Sequence, residues 1–206
     1  MDIQKIILVI LILVIIVIVA LIKKRRWKKE INKGEEEVNE VLEKIPRYKL
    51  LSDIMIKREN GTSQIDHVLI GKKGVFVIET KDYSGSIYGE QYSKYWTQVL
   101  NRNKNQFYNP IRQNYGHIKA LEEYLGKRDI FISVIVFTNK SKLKKVKTET
   151  SVIQLKKLKK FIRKYPSDIK LSKEEIENIC NLIKKGNIHS VRARKKHVKR
   201  INRSIS

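Results

Sequence analysis

A chain of 206 residues, 41% of them hydrophobic, can bury one core of ordinary domain size once its termini are set aside. Its single cysteine, Cys180, excludes an internal disulfide and any cysteine-cluster zinc site, and fits a reducing compartment. A formal net charge of +24 calls for a polyanionic partner, either nucleic acid or an acidic membrane surface, without choosing between them.

Residues 6–22 are an unbroken apolar run without proline or glycine. As a helix the run is about 26 Å long, close to what a bilayer core requires. A cleavable leader would begin with basic residues and end at a small-residue cleavage site. Here the start is nearly neutral and the cluster Lys23, Lys24, Arg25, Arg26, Lys28 and Lys29 follows at once, with Trp27 at the interface. Residues 1–30 therefore read as an uncleaved, single-pass anchor in the cell membrane with a basic stop-transfer flank. The basic side stays in the cytoplasm and the rest of the chain with it.

Residues 31–185 read as one globular domain. From Asn32 a helix is expected, with Val38, Val41, Leu42 and Ile45 on one apolar stripe and Pro46 ending it. Glu35, Glu36 and Glu37 open this helix, where negative charge suits the positive end of its dipole. Glu36 points away from the stripe, and Glu35 and Glu37 flank it. Residues 48–56 have strand composition, and residues 59–63, with Gly61, read as a turn.

The stretch QIDHVLIGKKGVFVIETK, residues 64–81, is two β-branched runs joined at a Lys-Lys tip bracketed by Gly71 and Gly74. Symmetric antiparallel pairing sets Asp66 directly opposite Glu79, with Cβ atoms about 5 Å apart, close enough for two carboxylates to share a divalent cation. Lys81 shares their face. These charges could instead be surface residues in cross-strand ion pairs. Against that, Val68, Ile70, Val75 and Val77 on the same face are all apolar, so the charges emerge at the open end of a buried sheet, where sites commonly sit.

Beyond Lys81, one or two further antiparallel strands are expected, with Ile87 and Trp96 inward. Asn109 and Pro110 mark a helix start. That helix should run to about Leu125 with Ile111, Tyr115, Ile118 and Leu125 buried; Gln113 and His117 flank that face, and His117 reads as a packing or capping residue. Residues 130–137 form a β-branched run typical of a strand buried on both faces, pairing in parallel after its helix. Val152 and Ile153 suggest a last short strand. A basic amphipathic helix with Leu155, Leu158, Phe161, Ile162 and Tyr165 follows, and then a helix that Ser172 and Glu175 open as a capping box. Residues 186–206 carry no acid and many lysines and arginines, a flexible tail that seeks polyanions.

Gly34-Glu35 before Val38, QIDH, GVFVIETK, SGSIYG, Trp96, NPIRQN and His117, in this order, closely resemble the NERD (nuclease-related) domain over residues 34–137. The resemblance implies an α/β fold of the PD-(D/E)XK, restriction-endonuclease-like kind, with a mixed central sheet flanked by helices. It implies Asp66 and Glu79 as metal ligands, Lys81 as the catalytic lysine, Glu35 as the acid on the first helix, and attention to Gln113. Ile65 stands where a proline often precedes the aspartate. The expected function is a membrane-anchored nuclease that hydrolyses phosphodiester bonds of nucleic acid, DNA foremost, with Mg2+ or Mn2+. The alternative is a catalytically silent tethered module that binds nucleic acid or anionic lipid headgroups.

Overall fold

The computed structural model describes residues 12–15, 17–18, 33–59 and 61–190. Most of the apolar run 6–22, the basic flank, and residues 191–206 of the tail lie outside the described residues. Residues 12–15 and 17–18 are helical and exposed, and among the described residues no helix is long and apolar enough to cross a membrane.

The fold is α/β, with two mixed sheets flanked by helices. The larger sheet has the order β1-β2-β3-β7-β9, made by β1 (Tyr48–Arg58), β2 (Gly61–Gly71), β3 (Gly74–Lys81), β7 (Phe131–Phe137) and β9 (Ser151–Gln154). The first three strands form an antiparallel meander, and β7 and β9 join in parallel, as the β-branched run after a helix predicts. The second sheet has the order β6-β5-β4-β8, from β4 (Gly85–Glu90), β5 (Tyr95–Leu100), β6 (Asn103–Tyr108) and β8 (Ser141–Lys147). A single mixed sheet was the expectation, and β6 and β8 were not foreseen. β6 is rich in Asn and Gln and β8 in Lys, with few core positions, so they carry little apolar alternation, and β8 pairs with a strand distant in sequence.

Helix α1 (33–43) and α3 (Leu155–Lys164) cover one face of the larger sheet, where Val38, Leu42 and Leu158 meet Phe76, Ile78 and Val134. On the other face α2 (Pro110–Leu125) and α4 (Lys173–Gly186) meet Val68, Val75 and Val77 through Leu121, Ile179 and Ile183, with Cys180 buried among them. A third cluster, Ile87, Trp96, Ile111, Ile135 and Phe137, fastens the second sheet to the first, and Trp96 stacks parallel on Phe137.

Helix ends follow the expected chemistry. The Asn109 side chain accepts from the Ile111 N–H with Pro110 in the first turn, and Ser172 and Glu175 form a complete capping box. Ser172→Ala should lower stability by about 1 kcal/mol, measurable by denaturant titration; no shift in midpoint would mean that α4 is held by packing alone. The tail begins attached rather than free: the Asn187 side chain accepts from Met55 N–H, and Ile188 N–H donates to Met55 O.

On α2 the buried face is rotated from the expected one. Tyr115 is 61% exposed, while Asn114 and His117 are buried beside Ile111 and Leu121. A polar residue goes inside when its hydrogen bonds are met there. Asn114 Nδ2 donates to Val77 O and Ser133 Oγ, although its Oδ1 is buried without a hydrogen-bond partner among the described residues, and His117 is bonded on both sides of its ring.

Candidate active site at the carboxyl ends of β3 and β7

The hairpin register is the expected one, running from His67 opposite Ile78 to Gly71 opposite Gly74. The ladder stops one pair short of Asp66 and Glu79, however, so the two acids are not a directly opposed pair. Val68 and Ile70 face α2 with Val75 and Val77, but so does Ile65, so side-chain alternation changes parity between Ile65 and Val68. The cause lies in the neighbouring strand: Asp53 adopts φ 52° and interrupts the β1–β2 ladder between Ser52 and Ile54. Asp66 turns its carboxylate to the backbone of β3, where Oδ2 accepts from Thr80 N–H at 2.8 Å.

Glu79 and Lys81 do share the face toward α2. Glu79, only 2% exposed, accepts from Lys81 Nζ at 2.7 Å on Oε1 and contacts His117 Nε2 at 3.1 Å on Oε2. Lys81 Nζ also donates to Gln113 Oε1 at 2.9 Å. An ionised carboxylate can only accept, so His117 Nε2 carries the proton toward Glu79; in the neutral ring Nδ1 then accepts from the Ser63 hydroxyl, 2.7 Å away. His117, read from the sequence as a packing or capping residue, is therefore hydrogen-bonded directly to Glu79 and Ser63.

Burial alone would raise the proton affinity of Glu79, but the Lys81 ammonium and His117 outweigh it and hold the carboxylate well below its ordinary range. Burial works against charged Lys81 as well, and Glu79 more than offsets it, so the ammonium is kept. Asp66 is the opposite case: burial first, then the negative charges of Glu79 and Glu35, push it well above the usual carboxylate range. Glu35 on α1 is also raised, by burial, then by Asp53 and Glu79. The predicted acids therefore share one electrostatic neighbourhood, with Gln113 joined to it through Lys81. Glu35, Asp53, Asp66 and His67 also line an open cleft of about 300 Å³ against α1.

Close packing sets α1 over this site. His67, its proton affinity lowered by burial to about 4, is hydrogen-bonded to the backbone of Glu35. A Cβ on Gly34 would lie 2.6 Å from Asp82 Cβ and 3.1 Å from Thr138 Cγ2, at the ends of β3 and β7. Thr138 Oγ1 in turn donates to Asp82 Oδ1 at 2.6 Å. Gly34→Ala should force α1 outward and carry Glu35 with it, at a cost of roughly 1–3 kcal/mol that exceeds the helix-propensity gain of about 1 kcal/mol. A thermal melt equal to the parent's would show that this junction yields freely.

Among the described residues, no three His, Cys, Asp or Glu side chains are gathered closely enough to enclose a metal ion by themselves. The donor set still suits a hard cation that keeps part of its water shell: Mg2+ is commonly held by one or two carboxylates together with substrate phosphate oxygens. Asp66 and Glu79 can supply those carboxylates, and what raises Asp66 after burial is the negative charge of Glu79 and Glu35, which a cation would offset.

The model of the nuclease-related (NERD) domain family matches residues 31–138, just over half of the chain and the span that builds this site. The chain belongs to the NERD family. Three strands of the second sheet, β4 to β6, fall inside the span matched by the NERD family, and β8 lies just beyond it. An uncharacterized protein of Bacillus anthracis is 38% identical over 179 residues, 84% of this chain and 84% of its own. No solved structure matches.

Proposed function

We propose that this NERD protein is a membrane-anchored, Mg2+-dependent nuclease that hydrolyses phosphodiester bonds of DNA with a restriction-endonuclease-like site. The observation that carries the reading is Lys81: a half-buried, charged ammonium held between the buried Glu79 carboxylate and Gln113, in the electrostatic neighbourhood of Asp66 and Glu35. A protein that needed only a folded core would avoid such a group, because a buried charge is costly without a task.

In this reading a divalent cation bound by Asp66 and Glu79 supplies Lewis-acid polarisation of a phosphoryl oxygen. Lys81 places its positive charge where negative charge builds on the phosphorus centre, and Gln113 fixes the direction of that ammonium. His117 and Ser63 hold the Glu79 carboxylate in one rotamer. Glu35 closes the cleft from α1. The basic surface holds the phosphate backbone without reading sequence. The apolar run 6–22 and its basic flank support the anchor, with the domain on the cytoplasmic side.

The occupied state of both Glu79 oxygens favours one rival, a silent tethered module that binds nucleic acid or anionic lipid without cutting. One assay separates the two. The full chain in neutral detergent should cut plasmid DNA with Mg2+ or Mn2+ and be inert in chelator. Binding to DNA with no cutting under either metal would leave the module.

A further inference from the structure

We infer that the outer face of the second sheet, β6-β5-β4-β8, is a platform for single-stranded nucleic acid, on which Tyr88, Tyr95 and Tyr108 stack bases and β8 lysines hold phosphates. The inference rests on nucleic acid being the substrate class proposed above.

Register decides which side chains share this face. Ile87, Trp96 and Phe107 turn inward to Phe137, so their sequence neighbours turn out. Tyr95 pairs with Tyr108 and Tyr88 with Thr97, which sets the three tyrosines on one surface across three adjacent strands. Tyr95 and Tyr108 are 45% and 41% exposed, with ring centroids 6.3 Å apart, and Lys94 lies 5.2 Å from the Tyr95 ring centre.

On β8, Leu143 and Val146 both pack inward, three residues apart, because the β4–β8 register shifts at Ile87/Tyr88. That bulge turns two successive lysines outward, so Lys142, Lys144, Lys145 and Lys147 are all exposed on this side. None of the four is in an ion pair among the described residues. Glu90 is the one carboxylate at the paired outward positions of the described strands.

Lysines alone fit any polyanion. The tyrosines choose the occupant, since a ring standing on a sheet can stack on a base only when that base has left its duplex. A face that entered a bilayer would carry Trp, Phe or Leu; the outward partners here are Tyr, Thr, Ser, Gln and Lys104, with Val99 the single aliphatic. The sheet that carries the platform is joined to the strand that carries Lys81 by a short connection. Gly85 begins β4 four residues after Lys81, so chain length alone keeps the two within about 14 Å.

The test is binding of the full chain, in neutral detergent and chelator, to a labelled oligothymidylate, to a hairpin duplex of equal length, and to phosphatidylserine vesicles. Tyr95→Ala and Tyr108→Ala should each weaken oligothymidylate binding roughly tenfold, Tyr→Phe at either position should restore it, and duplex binding should hold. Replacing Lys142, Lys144, Lys145 and Lys147 by Ser should flatten the slope of log affinity against log salt by about 3. Unchanged oligothymidylate affinity in the tyrosine variants overturns the platform, and so does a loss confined to vesicles. Binding that responds as expected in a chain that never cuts DNA removes only the nuclease reading.

Discussion

Replacing Lys81 by methionine should reduce DNA cleavage by about a hundredfold or more while leaving Mg2+ binding intact, because the ammonium acts on charge that develops only as the phosphodiester bond breaks. Asp66→Ala and Glu79→Ala should instead abolish both cleavage and metal binding, since each removes one of the two carboxylates proposed to hold the cation. The Lys81 variant carries a second signature. Glu79 is 2% exposed and loses a partner at 2.7 Å, so without metal the variant should be less stable by roughly 3 kcal/mol, a fall in melting temperature of roughly 10 °C. Added Mg2+ should return much of that loss by putting positive charge back beside Glu79. If Lys81→Met melts like the parent in chelator and gains nothing from Mg2+, Glu79 is not the ligand.

The second large effect is expected at His117. Truncation to alanine strands Glu79 Oε2 and the Ser63 hydroxyl, both buried, so about 2–3 kcal/mol of stability should be lost, and cleavage should fall because Glu79 is free to turn. His117→Gln can still donate toward Glu79 but does not span to Ser63, and should recover part of both losses. Calorimetric unfolding alongside cleavage rates decides it. A His117→Ala protein that loses stability but cuts at the parent rate would make the histidine a structural bridge only.

The two predictions differ in how far they could be foreseen. Lys81 was legible because a lysine two residues after a glutamate, on a strand otherwise apolar on that face, is a local pattern with a local cost. His117 was not. A lone histidine beside an apolar helical stripe ordinarily packs or caps, and nothing near it in sequence names Glu79 or Ser63 as its partners. The one available signal was Asn114, a second polar residue on the same turn, which with His117 shifts the buried face of α2 and leaves Tyr115 outside.

Local chemistry was enough for the helix caps, the hairpin tip at Gly71 and Gly74, the β-branched central strands and the family membership that its motifs carry, because each depends on residues a few positions apart. Tertiary structure alone decided three things. It split the strands after Lys81 into a second sheet, since β8 pairs with β4 across more than fifty residues and its lysine-rich sequence has no apolar rhythm of its own. It ended the hairpin ladder before Asp66, because the left-handed Asp53 on a neighbouring strand shifts the alternation there. And it brought Glu35, near the start of the domain, to the carboxyl ends of β3 and β7 through the close approach that only a glycine at position 34 permits. Periodicity records which face of its own element a side chain occupies; which faces meet is set by packing between elements, and a site assembled from four of them is visible only there.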